Sequence, residues 1–312
     1  MTEQNFRRLI NLLFILGALT LLNSVALAQY PIGNSHLSDM KPGSVLFFNK
    51  YTSDPGNPQQ SDTQVNITNT NQNEDAEIHL FLIDGSTCSI ADSFVGLTKN
   101  QTTSFRLSDF DPGVTGYIVA VALSGGTPTQ FNWLIGDEYI RESDGRQANL
   151  AAVAIAKRSP GDVTLNGDGT ASLIFNDVEY ERLPTSVALS NFNSQVTDST
   201  QVNIYVPTSN LVGGETPSTS TIFTLVYDDI ENPFSTSVRI VCYTTFRLSA
   251  LRVAGGNINT IVPADRNGWI RFNGNGKPLL GASIQRGPVF MGGHNLHALA
   301  LAPTHTMLIP AF

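Results

Sequence analysis

Apolar and polar residues alternate with a period of two along most of this chain. In Thr63-Gln64-Val65-Asn66-Ile67, the side chains of Thr63, Val65 and Ile67 point one way, and those of Gln64, Asn66 and Thr68 point the other. Ala76 to Ile83 follows the same rule, with Ile78, Leu80 and Leu82 on one face, and Asp84-Gly85 closes it in a turn. Strands are also predicted over Ser44 to Tyr51, Thr102 to Leu107, Tyr117 to Ala122 (near-continuously apolar and so buried) and Phe131 to Ile135. Asp54-Pro55-Gly56-Asn57-Pro58 and Asp109-Phe110-Asp111-Pro112-Gly113 read as turns. Helix competes with strand only over 149–156, where Ala and Leu favour helix but the run is short for one.

The five-residue phrase recurs as Thr200-Gln201-Val202-Asn203-Ile204. Other features follow in the same order. Phe223 to Tyr227 and Asp228-Asp229 match Leu80 to Ile83 and Asp84-Gly85. Residues 257–262, a turn at 265–268 and Trp269-Ile270-Arg271-Phe272 are matched with 102–107, 109–113 and Gly116-Tyr117-Ile118. Leu279-Leu280-Gly281-Ala282 echoes Leu134-Ile135-Gly136-Asp137. The order indicates duplication. Short strands separated by Gly, Pro, Asn and Asp turns predict an all-β chain of two tandem antiparallel β-sandwich domains. The boundaries read from the sequence are 1–28 for a signal peptide, 29–160 for the first domain, 161–185 for a connecting hairpin and 186–312 for the second domain. Asn166-Gly167-Asp168-Gly169 supplies the turn of that hairpin.

The N-terminus carries the export signal. Arg7 and Arg8 precede an apolar run from Leu9 to Leu22, and Ala26-Leu27-Ala28 offers small residues to a signal peptidase. The run is short for a span of about 20 residues. Cleavage is therefore expected after Ala28, and Gln29, not being Cys, takes no lipoprotein anchor. The mature chain is expected to be secreted (periplasm, cell surface or extracellular) with no transmembrane segment. Losing Glu3, Arg7 and Arg8 moves the formal charge from −8 to −9. An acidic chain without a basic cluster has no counterion-release drive toward nucleic acid.

Gln64 to Thr70, Leu80 to Cys88 and Asp111 to Tyr117, with Gly268-Trp269 and Gly293-His294-Asn295-Leu296-His297, resemble a group of uncharacterised secreted bacterial proteins with tandem β-sandwich, immunoglobulin-like domains. The resemblance implies a bacterial exported protein. It brings no assigned activity and no catalytic residue.

Chemistry-bearing candidates are few. His294 and His297, with His305, are candidate metal ligands, but on a strand positions i and i+3 face opposite ways. Asp109 with Asp111, and Asp228 with Asp229, are candidate calcium loops, although Asp also favours turns for its own backbone bonds. Cys88 and Cys242 form a disulfide only if the fold brings both Cα atoms within about 7 Å. Trp133 and Trp269 lie in strand contexts that favour the core over a sugar platform. No Gly-x-Ser-x-Gly elbow occurs. The chain thus reads as a non-enzymatic structural or interaction protein of the bacterial envelope or extracellular space, needing no cofactor. Its expected partner is an envelope protein or a glycan. The alternative is a carbohydrate- or calcium-dependent binding module, and behind it a metal-dependent hydrolase.

Overall fold

The computed structural model describes residues 41–54 and 56–312. The predicted signal peptide and most of the lead-in that follows it lie outside the described residues.

Four large sheets carry the fold. Sheet A sets β10 (Val153–Ile155), β1 (Val45–Thr52), β6 (Thr115–Ser124), β3 (Ala76–Asp84) and β4 (Ile90–Leu97) side by side, with β7 (Thr127–Pro128) on β6. Sheet B runs β5 (Thr102–Arg106), β2 (Asp62–Asn69), β8 (Leu134–Arg141), β9 (Gln147–Ala151). Sheet C runs β22 (His297–Leu301), β12 (Pro184–Asn193), β19 (Asn267–Asn273), β14 (Thr219–Tyr227), β15 (Pro233–Val241). Sheet D runs β16 (Tyr243–Arg247), β13 (Thr200–Tyr205), β20 (Leu280–Arg286), β21 (Met291–Asn295). Two ribbons complete the set: β11 (Thr170–Phe175) with β23 (His305–Pro310), and β17 (Arg252–Val253) with β18 (Gly256–Asn257). All these strand pairs are antiparallel.

Strand order repeats between the halves, sheet C answering sheet A and sheet D answering sheet B. The register repeats as well. Val65 stands opposite Phe105 and Glu138, and Val202 opposite Phe246 and Ser283. The bulge in β1 between Phe48 and Tyr51 recurs in β12 between Leu189 and Phe192. The duplicated phrase lies in β2 and β13, with Val65, Ile67, Val202 and Ile204 fully buried. One matched pair differs from the sequence reading. Within 257–262 the chain makes a one-turn helix, Ile258–Ile261, and the strand equivalent to β5 is β16.

Burial follows the residue pattern. In sheets A and B, Leu46, Phe48, Val65, Ile67, Leu80 and Ile118 share one core, and in C and D, Leu189, Val202, Ile204, Val226 and Ile270 share another. The middle strands β1 and β6 are apolar on both faces because both are covered. Val45, Phe47, Val119 and Val121, on the outer face of A, pack under Leu173, Phe175, Met307 and Ile309 of the β11/β23 ribbon and under Tyr205, Tyr243 and Leu280 of sheet D. A further cluster joins Ile140, Ala148 and Leu150 of sheet B to Ala282, Ile284 and Met291 of sheet D.

The chain is therefore all-β and antiparallel, but it does not form two separate sandwiches in tandem. Its four large sheets are grouped in a propeller-like, four-bladed way. The physical reason is the pair of cores that span the halves: sheet D turns an apolar outer face onto the first half. The stretch at 149–156 resolves as strand, forming β9 and β10.

Candidate functional site

The predicted chemistry-bearing residues are dispersed. Cys88, in the turn after β3, and Cys242, between β15 and β16, are bridged, with their Cα atoms 5.5 Å apart. Both hold positive φ, 61° and 55°, a region that L side chains rarely occupy. The bridge ties the first half to the second and leaves neither cysteine free. His79 is buried between Phe81 and Phe94, and its Nε2 meets Asp92 Oδ2 at 2.9 Å.

The acidic candidates serve their own loops. Asp111 accepts from the Tyr51 hydroxyl at 2.6 Å, and burial raises its pKa. Asp109 closes the short 3-10 turn at Leu107–Asp109. Asp228 accepts from the backbone of Ile230 and Asn232, closing the turn after β14, and Asp229 pairs with Arg266. Among the described residues, no group of three or more His, Cys, Asp or Glu side chains converges on one ion position. His305 lies on β23 and stacks on Phe175, away from any shared site with His294 and His297. Those two come together after all: the chain leaves sheet D and enters sheet C between them, and their ring centroids stand 6.0 Å apart.

The densest chemistry is buried at the junction of the halves, and the sequence reading missed it. The β1 bulge turns Asn49 and Lys50 into that junction. Asn49 donates to Asn295 Oδ1 at 2.7 Å and accepts from the Tyr205 hydroxyl at 2.7 Å. The rings of Tyr205, Tyr117 and Tyr243 stack beside it. Glu138 is fully buried; its Oε1 accepts from the Lys50 backbone N–H at 3.0 Å, and its Oε2 has no hydrogen-bond partner among the described residues. Burial pushes the Glu138 carboxyl well above the usual range and lowers Lys50 to about 8. Glu142 takes a two-pronged contact from Arg286, which outweighs burial and lowers its pKa. Glu138 was detectable in principle, because it occupies an inward phase of the alternation between Leu134 and Ile140.

A second feature is open. The outer face of sheet C carries Leu225, Tyr227, Trp269 and Arg271, none of them fully buried, and an exposed Phe223. Tyr227 and Trp269 stack with centroids 4.0 Å apart and planes 3° from parallel. Trp269 thus lies outside the core that its strand context suggested, whereas Trp133 packs against the first-half core. The matching positions on sheet A, Phe81, Ile83, Tyr117 and Val119, are buried under the ribbon and sheet D.

No family model matches the chain, and no curated protein does. Among solved structures, it is similar to the crystal structure of Thermotoga maritima 1070, at 15% identity over 36% of this chain and 94% of that one, with a TM-score of 0.28. The Lactobacillus farciminis oxalate decarboxylase formate complex is aligned at 7% identity over 86% of this chain and 76% of that one, with a TM-score of 0.17. At such scores neither likeness bears on fold or activity.

Proposed function

We propose that the protein is an exported, non-enzymatic structural or interaction module of the bacterial envelope or extracellular space, in keeping with the secreted proteins its sequence resembles. In this reading the outer face of sheet C is its contact face. One observation carries the reading. That face is open and aromatic, while its duplicated counterpart on sheet A is closed by the protein itself. Each half then descends from one two-sheet unit, and the second copy keeps for a partner the face that the first copy spends on cohesion. The disulfide suits an oxidising compartment. Among the described residues, no helix is long and apolar enough to cross a membrane.

A glycan partner is the second reading, favoured by Tyr227 and Trp269, because aromatic rings beside an Arg suit the apolar faces and hydroxyls of a sugar. The test is co-sedimentation of the purified mature chain with isolated cell envelopes and with insoluble polysaccharides. Binding that Trp269→Ala and Phe223→Ser abolish, with the melting temperature preserved, is the expected result. Turnover of a glycosidic, ester or peptide substrate, lost on one side-chain change, would overturn the non-enzymatic reading.

A further inference from the structure

The two copies differ most sharply where sheet D hands the chain to sheet C. Register places His294 at the position of Leu150, since Ser283 faces His294 as Glu138 faces Leu150. In the same way His297 takes the position of Val153, since Ala188 faces His297 as Phe47 faces Val153. In the first copy both positions are apolar and buried against the second half, Leu150 at 2% and Val153 at 7% exposure. In the second copy both histidines are exposed among the described residues.

The segment between them is fixed. Asn295 and Leu296 are buried. The Asn295 amide donates to the Ala151 carbonyl at 2.7 Å, and the Leu296 N–H donates to the Gly281 carbonyl at 2.9 Å. The two imidazoles are therefore presented from a pinned turn, one on each sheet, with centroids 6.0 Å apart and planes 34° from parallel. An imidazole nitrogen binds a transition metal at about 2.0–2.1 Å, so two rings sharing one ion stand roughly 5–6 Å apart between centroids.

We propose that His294 and His297 form a two-imidazole site for one divalent transition metal ion of the zinc, nickel and copper class. The ion clasps sheets C and D at the corner that, in the first half, is closed by protein contact. Nitrogen donors select this class over calcium, which seeks oxygen. With two protein donors the remaining coordination positions belong to water or to a donor brought by a ligand, so the site holds metal without enclosing it. The inference does not depend on the contact face of sheet C.

The experiment is calorimetric titration of the purified mature chain with zinc chloride and, separately, nickel chloride at pH 7.5, alongside thermal melts. The expected result is one ion per chain and a melting temperature that rises with metal. His294→Ala and His297→Ala should each weaken binding by at least about tenfold, and His305→Ala should leave it unchanged. Both test histidines are exposed, so the metal-free variants should melt with the parent, which separates lost ligation from lost folding. Saturable binding that survives the double substitution, or no saturation below about 1 mM metal, would overturn the proposal.

Discussion

The Tyr117 ring of the first half lies face to face with the Tyr205 ring of the second, centroids 3.9 Å apart and planes 14° from parallel. Each hydroxyl also reaches across the junction: Tyr117 accepts from the Thr208 N–H at 3.0 Å, and Tyr205 donates to Asn49. The halves are therefore predicted to unfold together. Tyr205→Ala should cost about 3–5 kcal/mol. Tyr205→Phe should cost about 1–3 kcal/mol, because it strands the buried Asn49 oxygen. Urea unfolding followed by fluorescence and by circular dichroism checks both, and a clean separation into two transitions would count against a shared core.

The bridge between Cys88 and Cys242 closes a loop with a sequence separation of 154. Replacing both residues by Ser should lower stability by about 2–4 kcal/mol. Reductant should bring the parent to the stability of the variant and leave the variant unmoved, as read by denaturant melts with and without reductant.

Glu138 sets a pH dependence of definite sign. Its folded pKa lies well above the unfolded value, so the folded state keeps a proton that the unfolded state gives up. Its contribution to stability is full below about pH 4.3 and is lost as pH rises toward the folded pKa. Glu138→Gln keeps the shape and cannot ionise. The variant should exceed the parent in stability at pH 8, and the gap should close as pH falls toward 4. Parallel melts across that range measure it; parallel curves with a constant offset would contradict the assignment.

Gly116 and Gly268 occupy equivalent places at the start of β6 and β19. A Cβ on Gly116 would lie 1.8 Å from the Ile83 carbonyl oxygen, and one on Gly268 would lie 2.6 Å from the Tyr227 oxygen. Backbone on a paired strand cannot give way as a side-chain tip can. Alanine at either position should destabilise by about 1–3 kcal/mol, more at Gly116, measured by thermal melts.

Much of this was readable from alternation alone. The phrase shared by β2 and β13, the aspartates that end β3 and β14, and the glycine-aromatic pairs Gly116-Tyr117 and Gly268-Trp269 all occupy equivalent places in the two halves. A second repeated phrase, Phe105-Arg106-Leu107-Ser108 and Phe246-Arg247-Leu248-Ser249, was there to be used and would have aligned β5 with β16 instead of with the one-turn helix. The junction was not readable. Asn49, Glu138, Tyr205 and Asn295 are far apart in sequence, and an alternating strand does not say which other sheet will cover its outer face. On one continuous strand His294 and His297 would face opposite ways. The change of sheet at Leu296 undoes that geometry.

The β11/β23 ribbon has a consequence in time. Residues 305–310 are synthesised after the whole of the first half, and Met307 and Ile309 contribute to the cover over Phe47, Val119 and Val121 of that half. The first half can therefore bury the core between sheets A and B by itself, whereas the outer face of sheet A stays bare until β23 has been made.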